Sequence, residues 1–344
     1  NNLCQSKLLL QRSWAVWFKA VAFLVAILFF ASTYVGTAAV RYVNVNNTSP
    51  TSPYTTWEIA AKTIQDAVDA AQSGDTVLVT NGTYNTGGKA VYGLMTNRVA
   101  IDKPIIVQSV NGPTVTFIVG SEASGGGNGD GAIRCVYVGT NALLSGFTLT
   151  NGHTRSWAGD YDKEQSGGGV WCETSGVVSN CILTGNSAYY YGGGAYSGTL
   201  YNCTLTGNSA ADSGGGARGS TLYNCALTGN SAYYSGGGAL GGTLTNCVLT
   251  GNSAPRGGGV SGGTLYNCTL TGNSADLFGG GASDGPFGEC TLYNCVLTDN
   301  SSDYCGGGAY VCALTNCILT GNSAPHGGGA YYGTLYNCTL TGNS

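Results

Sequence analysis

Residues 198–210 read GTLYNCTLTGNSA, and this phrase recurs with small changes through the second half of the chain. The Asn-Cys pair at its centre is spaced by 21 or 22 residues, with one interval of 27. A repeat this short excludes helix pairs, which need roughly 33 residues, and propeller blades, which need roughly 40. The sequence therefore predicts one coil of a β-solenoid per repeat, with strands stacked roughly 4.8 Å apart. The repeated cysteines are Cys181, Cys203, Cys225, Cys247, Cys268, Cys295, Cys317 and Cys338.

The spacing within one coil predicts which side chains face the interior. Cys203 and Leu205 are two residues apart and share one face of a strand, whereas Leu200 reaches the interior only if the chain bends near Asn202. The glycine run 192–194 predicts a corner with positive φ. A second asparagine of the repeat predicts a hydrogen-bonded ladder inside a turn. Its members are Asn186, Asn208, Asn230, Asn252, Asn273, Asn300, Asn322 and Asn343.

These repeats resemble the parallel β-helix repeats of the pectin-lyase-like superfamily. The GGGA and Asn-Ser-Ala phrases also resemble the repeat region of the polymorphic membrane protein group of autotransporter adhesins. The resemblance implies an all-β fold, a right-handed single-stranded parallel β-helix of about 22 residues per coil, with a short N-terminal α/β cap. It implies little about function, because one fold hosts many activities.

Changes in composition divide the chain into four segments, 1–39, 40–95, 96–166 and 167–344. Residues 1–39 combine three basic residues with an apolar run over 20–35, which predicts a cleaved secretory signal, with an uncleaved N-terminal anchor as the alternative. Residues 167–344 carry the regular repeats and stop within one, so we expect a truncated chain, with a C-terminal anchor or sorting signal as a further expectation.

The segment 40–95 predicts a cap that contains a short helix, followed over 96–166 by irregular coils. Ile64, Ala67, Val68 and Ala71 have helical spacing, and the residues from Thr76 to Thr80 read as a strand. A solenoid needs such a cap to cover its open core and its unpaired strand edge. The strands predicted next span residues 104–110, 115–119, 134–138 and 143–150.

Charged residues make up 9% of the chain, and the net charge is −4. The sequence has no basic stripe, which argues against nucleic acid as a partner. A surface of Thr, Tyr, Ser, Asn and Gly, together with the predicted export segment, favours a secreted or cell-surface protein. Membrane contact is expected only through an N-terminal or a C-terminal anchor.

The fourteen cysteines of an exported chain would ordinarily suggest disulfides. Stacked cysteines on parallel strands have parallel Cβ vectors, so we interpret the repeated cysteines as a buried ladder of free thiols, with an occasional strained bridge as the alternative. Cys290 and Cys312 lie at equivalent positions of consecutive coils, and Cys305 precedes a glycine run. These three are the candidates for a disulfide bridge.

One irregular excursion, residues 154–166, is the best candidate for a local site, because it interrupts the regular coils. Asp160, Asp162 and Glu164 offer oxygen ligands to a calcium ion, and a solvated acidic loop is the alternative. We expect no other cofactor. His153 has no evident partner, and His326 is interpreted as a corner residue.

Two outward columns are candidates for binding. Threonines form one unbroken row, but the neighbouring column is mixed, so β-propensity explains the row. Tyrosines form the other column, where they can bind a sugar ring or a protein, or simply stack on one another. They are Tyr201, Tyr223, Tyr266, Tyr293 and Tyr336, interrupted by Thr245 and Thr315. Sequence variation concentrates at the corner before each glycine run.

Two functions remain open. The first is a non-catalytic, exported β-helix, the passenger of an adhesin or a structural protein that binds glycans or other surfaces. The second is a polysaccharide lyase or glycoside hydrolase acting on acidic polysaccharide. The resemblance implies, for the second, an acid cluster that binds calcium together with an arginine base, or paired aspartates. The repeats show only scattered acids, which favours the first function.

Overall fold

The computed structural model describes residues 38–157, 159–286 and 288–344. Equivalent strands of successive coils pair in parallel and in register; for example, Leu200 pairs with Leu222, and Leu222 with Leu244. The chain is a right-handed parallel β-helix, as predicted. The predicted signal peptide or anchor lies almost wholly outside the described residues, and no helix within these residues is long and apolar enough to cross a membrane.

The first wall of the solenoid begins in the predicted cap. Its strand Val40–Val43 pairs with Thr76–Val79, which pairs with Ile106–Ser109. The first coils are therefore already built from the segment 40–95. The later strands of this wall are Leu143–Ser145, Val177–Ser179, Thr199–Tyr201, Thr221–Tyr223, Thr243–Thr245, Gly263–Tyr266, Cys290–Tyr293 and the second halves of Ala309–Thr315 and Ala330–Tyr336.

The second wall is an 11-stranded parallel sheet within the described residues. Its middle residues, such as Leu205, are buried, and the residues on either side point outward. This alternation produces the predicted interior column of leucines. The strands are Gly82–Tyr84, Thr116–Val119, Thr148–Thr150, Ile182–Thr184, Thr204–Thr206, Ala226–Thr228, Val248–Thr250, Thr269–Thr271, Val296–Thr298, Ile318–Thr320 and Thr339–Thr341.

The third wall follows each glycine run. Its strands are Thr96–Ile101, Ile133–Val138, Val170–Cys172, Ala195–Tyr196, Ala217–Arg218, Ala239–Leu240, Val260–Ser261, Ala282–Ser283 and the first halves of Ala309–Thr315 and Ala330–Tyr336. Lys89–Ala90 pairs antiparallel with the first of them. Short strands lie between the second and third walls, at Ser187–Ala188, Ser209–Ala210, Ser231–Ala232, Ser274–Ala275 and Ser301–Ser302.

The predicted cap helix is present at Ile64–Ala70. Thr63 begins it as the N-cap, because its hydroxyl accepts a hydrogen bond from the Asp66 N–H at 3.1 Å. Lys103 caps its C-terminus, because the Lys103 ammonium donates to the carbonyls of Val68, Asp69 and Ala71. The buried face of the helix joins the core of the first coils.

Two kinds of backbone feature turn each coil. The bend between the first and second walls lies at Asn202 and its equivalents, with φ of 52° at Asn202, as the position of Leu200 predicted. At the glycine corner, only Gly192 has positive φ. The expectation of positive φ was wrong for Gly193, where a Cβ atom would lie 2.1 Å from the Ser209 carbonyl oxygen of the next coil. The close approach of the next coil, rather than the backbone conformation, is the reason why glycine is needed at this position.

Candidate functional site

The asparagines of the predicted ladder are hydrogen-bonded along the stack, and all are buried except the partly exposed Asn343. Asn208 Nδ2 donates to Asn230 Oδ1 at 3.0 Å and to the Leu183 carbonyl at 2.9 Å. The backbone N–H of Asn208 donates to the same Asn230 oxygen at 3.0 Å. Because both amide atoms have partners inside the turn, this ladder stabilises the coils and has no group free for a ligand.

A second asparagine ladder, which the sequence analysis did not predict, runs along the exposed bends. Asn224 Nδ2 donates to Asn202 Oδ1 at 3.3 Å, and the same contact recurs from coil to coil. The signal for it was the asparagine that precedes each repeated cysteine, a residue type that tolerates the left-handed backbone conformation of the bend.

The repeated cysteines lie inside the solenoid as free thiols, with Cys338 partly exposed. Cys203 Sγ donates to the Tyr201 carbonyl at 3.3 Å, and the other members repeat this contact with the residue two positions earlier. Burial raises the pKa of Cys181, which keeps the thiol protonated and unreactive. These residues are part of the core.

The candidate disulfide is not formed in the structure. Cys290 and Cys312 are stacked opposite one another in consecutive coils, as predicted, but both are free thiols, and so is Cys305. Cys305 lies on a different edge of the coil, where it pairs with Phe278 and His326. The prediction was a bridge between members of this set, and the corner separates Cys305 from the wall that carries the other two.

The acidic excursion at 154–166 is folded around Arg155. Its guanidinium donates to Asp130 Oδ1 at 2.7 Å and to Glu164 Oε2 at 2.5 Å. The Leu94 N–H also donates to Glu164 Oε2, at 2.9 Å. Burial raises the pKa of Glu164, but the hydrogen bonds from Leu94 and Arg155 outweigh burial, so its pKa lies below the ordinary value. This carboxylate joins the excursion to an earlier coil.

The other two acids of the excursion have different partners. Asp160 Oδ1 accepts from the backbone N–H groups of Asp162 and Lys163, and Asp162 Oδ1 accepts from the Tyr196 hydroxyl at 2.7 Å. The calcium prediction for Asp160, Asp162 and Glu164 was wrong: the three carboxylates do not converge. Throughout the described ranges, no group of three His, Cys, Asp or Glu side chains could hold a metal ion.

His153 also has a partner that the sequence did not show. Its Nε2 lies 3.8 Å from Glu122 Oε1, and its Nδ1 lies 3.2 Å from the Asn151 carbonyl. The ring is buried at the edge of the excursion. Glu122 lies on another coil, so only the tertiary structure brings the two side chains together.

A buried arginine holds the end of the excursion in place. Arg134 is 1% exposed, and it donates to the carbonyls of Lys163, Ser166 and Gly167 and to Asn97 Oδ1, at 2.7–2.9 Å. Burial lowers its pKa to about 9, still above neutral pH, so the guanidinium remains charged. Neutral acceptors satisfy its donors, which explains how a charge is tolerated here.

An aromatic stack covers the third wall next to the excursion. Tyr137, Trp171 and Tyr196 have ring centroids 5.6 and 5.8 Å apart and nearly parallel planes. Trp171 Nε1 donates to the Asp162 carbonyl at 2.7 Å, and the Tyr137 hydroxyl donates to Glu173 at 3.0 Å. The signal for this stack was that Trp171 and Tyr196 occupy the same position after a glycine run. Through the hydrogen bond from Trp171, the stack holds the excursion against the third wall.

The predicted tyrosine column lies on the outer face of the first wall. Tyr201 and Tyr223 stack with ring centroids 5.0 Å apart and planes inclined by 8°, and Tyr266 and Tyr293 stack at 5.2 Å and 9°. Tyr201, Tyr266 and Tyr336 are exposed. Stacking and exposure therefore coexist, because each pair covers only one face of each ring.

The variable corner before each glycine run carries further exposed rings. Tyr233 and Tyr234 are 67% and 56% exposed, and Tyr304 is exposed three coils away. Arg256 lies over the Phe278 ring at 5.2 Å from its centroid. The corner and the tyrosine column are thus two separate aromatic surfaces of one rod.

Comparisons with known proteins assign this chain to no family. No protein-family model matches the chain, and no curated protein matches it. Among solved structures, it is similar to a pectate lyase, with 12% identity, a TM-score of 0.46, and coverage of 90% of this chain and 78% of that one.

Two other solved structures give similar values. The A-module of a mannuronan C-5 epimerase from Azotobacter vinelandii has 15% identity and a TM-score of 0.40, covering 81% of this chain and 90% of that one. A rhamnogalacturonan lyase has 13% identity and a TM-score of 0.41, covering 88% and 87%. At these values, the similarities support no statement about activity.

Proposed function

We propose that this chain is an exported, non-catalytic β-helix that acts as a rigid rod at the cell surface or outside the cell and binds glycans. One observation carries the proposal: large aromatic side chains remain exposed along the rod although a well-packed core is available. They are Trp157, Tyr161, Tyr201, Tyr233, Tyr234, Tyr266, Tyr304, Tyr332 and Tyr336. Rings with one apolar face and a polar tip suit sugar rings, which are themselves amphipathic.

The irregular coil supports a structural rather than a catalytic role for its acids. Glu164 and Asp130 are bound to Arg155, and Asp162 is bound to Tyr196. A general acid or base needs a proton-accepting atom within reach of a substrate. Here these atoms are engaged in holding the excursion to the solenoid.

Export is the second element of the proposal. The basic and apolar character of residues 1–39 supports it, as does the low charge of the repeats. In an adhesin-like passenger, the stacked coils would hold the aromatic surfaces at a distance from the membrane. Glycans or glycosylated surfaces are the partners that we infer.

A glycan array tests this function. Fluorescently labelled chain 38–344, which contains the whole compact unit, is applied to neutral and acidic polysaccharides. We expect retention on a subset of the glycans without release of reducing ends or unsaturated products. Absence of binding to every glycan, or turnover of a uronic-acid polymer, would overturn the proposal.

A further inference from the structure

The outward residues of the regular coils follow a longer period that comprises three coils. Along the first wall, two coils with tyrosine are followed by one with threonine. The first outward residue of the second wall is aliphatic in both threonine coils, at Val248 and Ile318, but it is also aliphatic at Val296 in a tyrosine coil. The corners follow the same period, because the threonine coils alone carry Pro255-Arg256 and Pro325-His326. A period shared by the first wall and the corner distinguishes the threonine coils from the others.

The threonine coils leave a gap in the tyrosine stack. Thr245 is in register with Tyr223 on one side and with Tyr266 on the other. Tyr223 is covered on its far face by Tyr201, and Tyr266 is covered on its far face by Tyr293. The two uncovered faces therefore confront each other across Thr245. We call this gap the Thr245 slot.

A second slot repeats the arrangement. Thr315 is in register with Tyr293 and with Tyr336. Because three strand spacings separate them, the Thr245 slot and the Thr315 slot lie about 14 Å apart. The period of the chain thus produces two equivalent openings on one wall.

The size of each slot fits one ring. The tyrosines on its two sides are two strand spacings apart, which is about 9.6 Å. A flat ring placed midway lies about 4.8 Å from each tyrosine ring, within the range of stacked contacts, about 4.5–7 Å. Threonine is much shorter than tyrosine, so the outer part of the gap is open to such a ring.

The floor and the edge of the slot are suited to an uncharged sugar. Thr245 lies at the base, and Asn246 is exposed at the adjoining bend, where its amide bonds to Asn224 and Asn267 and its second N–H points away from that ladder's acceptor. Val248 is 46% exposed just beyond the bend, and Ile318 is 46% exposed at the equivalent position of the second slot. None of these side chains carries a charge. Apolar walls with a hydroxyl and an amide at the rim match the apolar face and the hydroxyl rim of a pyranose.

We propose that each slot binds one pyranose ring of an uncharged glycan, held between two tyrosine faces. This assignment rests on the proposed glycan-binding function and locates it on the first wall rather than at the variable corner. Two slots about 14 Å apart would engage one chain twice, so the avidity would exceed the affinity of either slot.

Filling both slots tests the assignment. The double variant Thr245→Tyr/Thr315→Tyr makes the tyrosine stack continuous and should retain the fold, because tyrosine already occupies the equivalent positions of neighbouring coils. The probes are hexasaccharides of cellulose, chitin and mannan, measured by calorimetry on wild type and variant. We expect the Kd of the hexasaccharide that binds the wild type to rise about ten-fold or more, equivalent to about 1.4 kcal/mol.

A second variant tests the slot even if the first variant does not fold. Tyr266→Ala removes one side of the Thr245 slot at an exposed position and should weaken binding as well. The matched control is Tyr234→Ala, which removes an exposed ring of the corner and should leave the Kd unchanged. Circular dichroism verifies that each variant retains the β-helix.

The outcomes separate the two proposals. If the wild type binds a hexasaccharide and the filled variant binds it equally well, the slot assignment is wrong and glycan binding stands. If Tyr234→Ala alone weakens binding, the corner is the site and the slot assignment is also wrong. If the wild type binds none of these probes and no glycan on the array, the proposed function itself fails.

Discussion

The coils around the excursion and the coils after Gly176 use opposite means to hold the same fold together. Around the excursion, Arg134 and Arg155 bring charge into the solenoid, and acceptors from several coils surround each guanidinium. In the regular coils, columns of uncharged Cys, Leu and Asn side chains stabilise the fold instead, and each coil contributes one residue to each column. A repeated interaction tolerates the loss of one member better than a unique one does, because its neighbours remain in place.

The largest effect is expected where a unique interaction is removed. Arg134→Met leaves several buried carbonyls without a donor, so we expect the free energy of unfolding to fall by about 3 kcal/mol or more. Urea denaturation followed by tryptophan fluorescence measures it, since Trp171 packs beside the excursion. The control Arg256→Met removes an exposed arginine from a regular coil and should cost less than about 0.5 kcal/mol. Equal costs would show that Arg134 is not the centre of this region.

Two glycines of the regular coils are expected to differ in the stability that their substitution costs. A Cβ atom on Gly215 would lie 2.1 Å from the Ser231 carbonyl oxygen, whereas one on Gly229 meets nothing within 4 Å but has φ of +61°. Gly215→Ala should destabilise by about 3 kcal/mol through overpacking. Gly229→Ala should cost only about 1–2 kcal/mol through backbone strain. Thermal unfolding of both variants measures the difference, and the reverse order would contradict the close approach of the coils.

The two asparagine ladders predict a smaller contrast. Asn230→Ala leaves the buried N–H of Asn208 without an acceptor, so we expect a loss of about 2 kcal/mol. Asn224→Gly keeps the left-handed bend of the exposed ladder and should change stability by less than about 0.5 kcal/mol. Chemical denaturation of the two variants in parallel is the measurement. Comparable losses would mean that the exposed ladder is as important as the buried one.

Acid should affect the excursion before the regular coils. The pKa of Glu164 is lower in the folded protein than its ordinary value of 4.5, so its stabilising contribution is complete above pH 4.5 and declines as the pH falls through the lowered pKa. We expect the melting temperature to decrease between pH 5 and pH 3 in the wild type and to decrease less in Glu164→Gln. Asp276→Asn, in a regular coil, should keep the wild-type dependence. A wild-type dependence in Glu164→Gln would refute the assignment.

Much of the solenoid could be predicted because its order is local and repeated. The interval between asparagine-cysteine pairs predicted the coil, and the position of Leu200 relative to Cys203 predicted the bend that the φ of Asn202 shows. The cap helix followed from the spacing of Ile64, Ala67 and Val68. Each of these needs only the residues of a single coil and the rule that equivalent residues stack.

The excursion could not be predicted in the same way. Glu164 is bound to Arg155 nearby but also to the N–H of Leu94, and His153 faces Glu122 from another coil. Spacing in sequence suggested that three acids would converge on calcium. In the structure, Glu164 and Asp162 bond to residues of other coils, whereas Asp160 accepts from backbone N–H groups within the excursion. The roles of Gly193 and of the tyrosine faces also depend on the coil above or below.

The sequence by itself determined the period, the inward columns and the places where the chain must turn, because a coil repeats the same local choices. Only the tertiary structure decided what each side chain meets in the neighbouring coils. Stacking at one strand spacing makes Tyr223 and Tyr266 face each other across Thr245, and it brings the Tyr196 hydroxyl of the next coil to the Asp162 carboxylate. Stacking places residues more than twenty positions apart in contact, and that is the physical reason why local patterns alone could not reveal them.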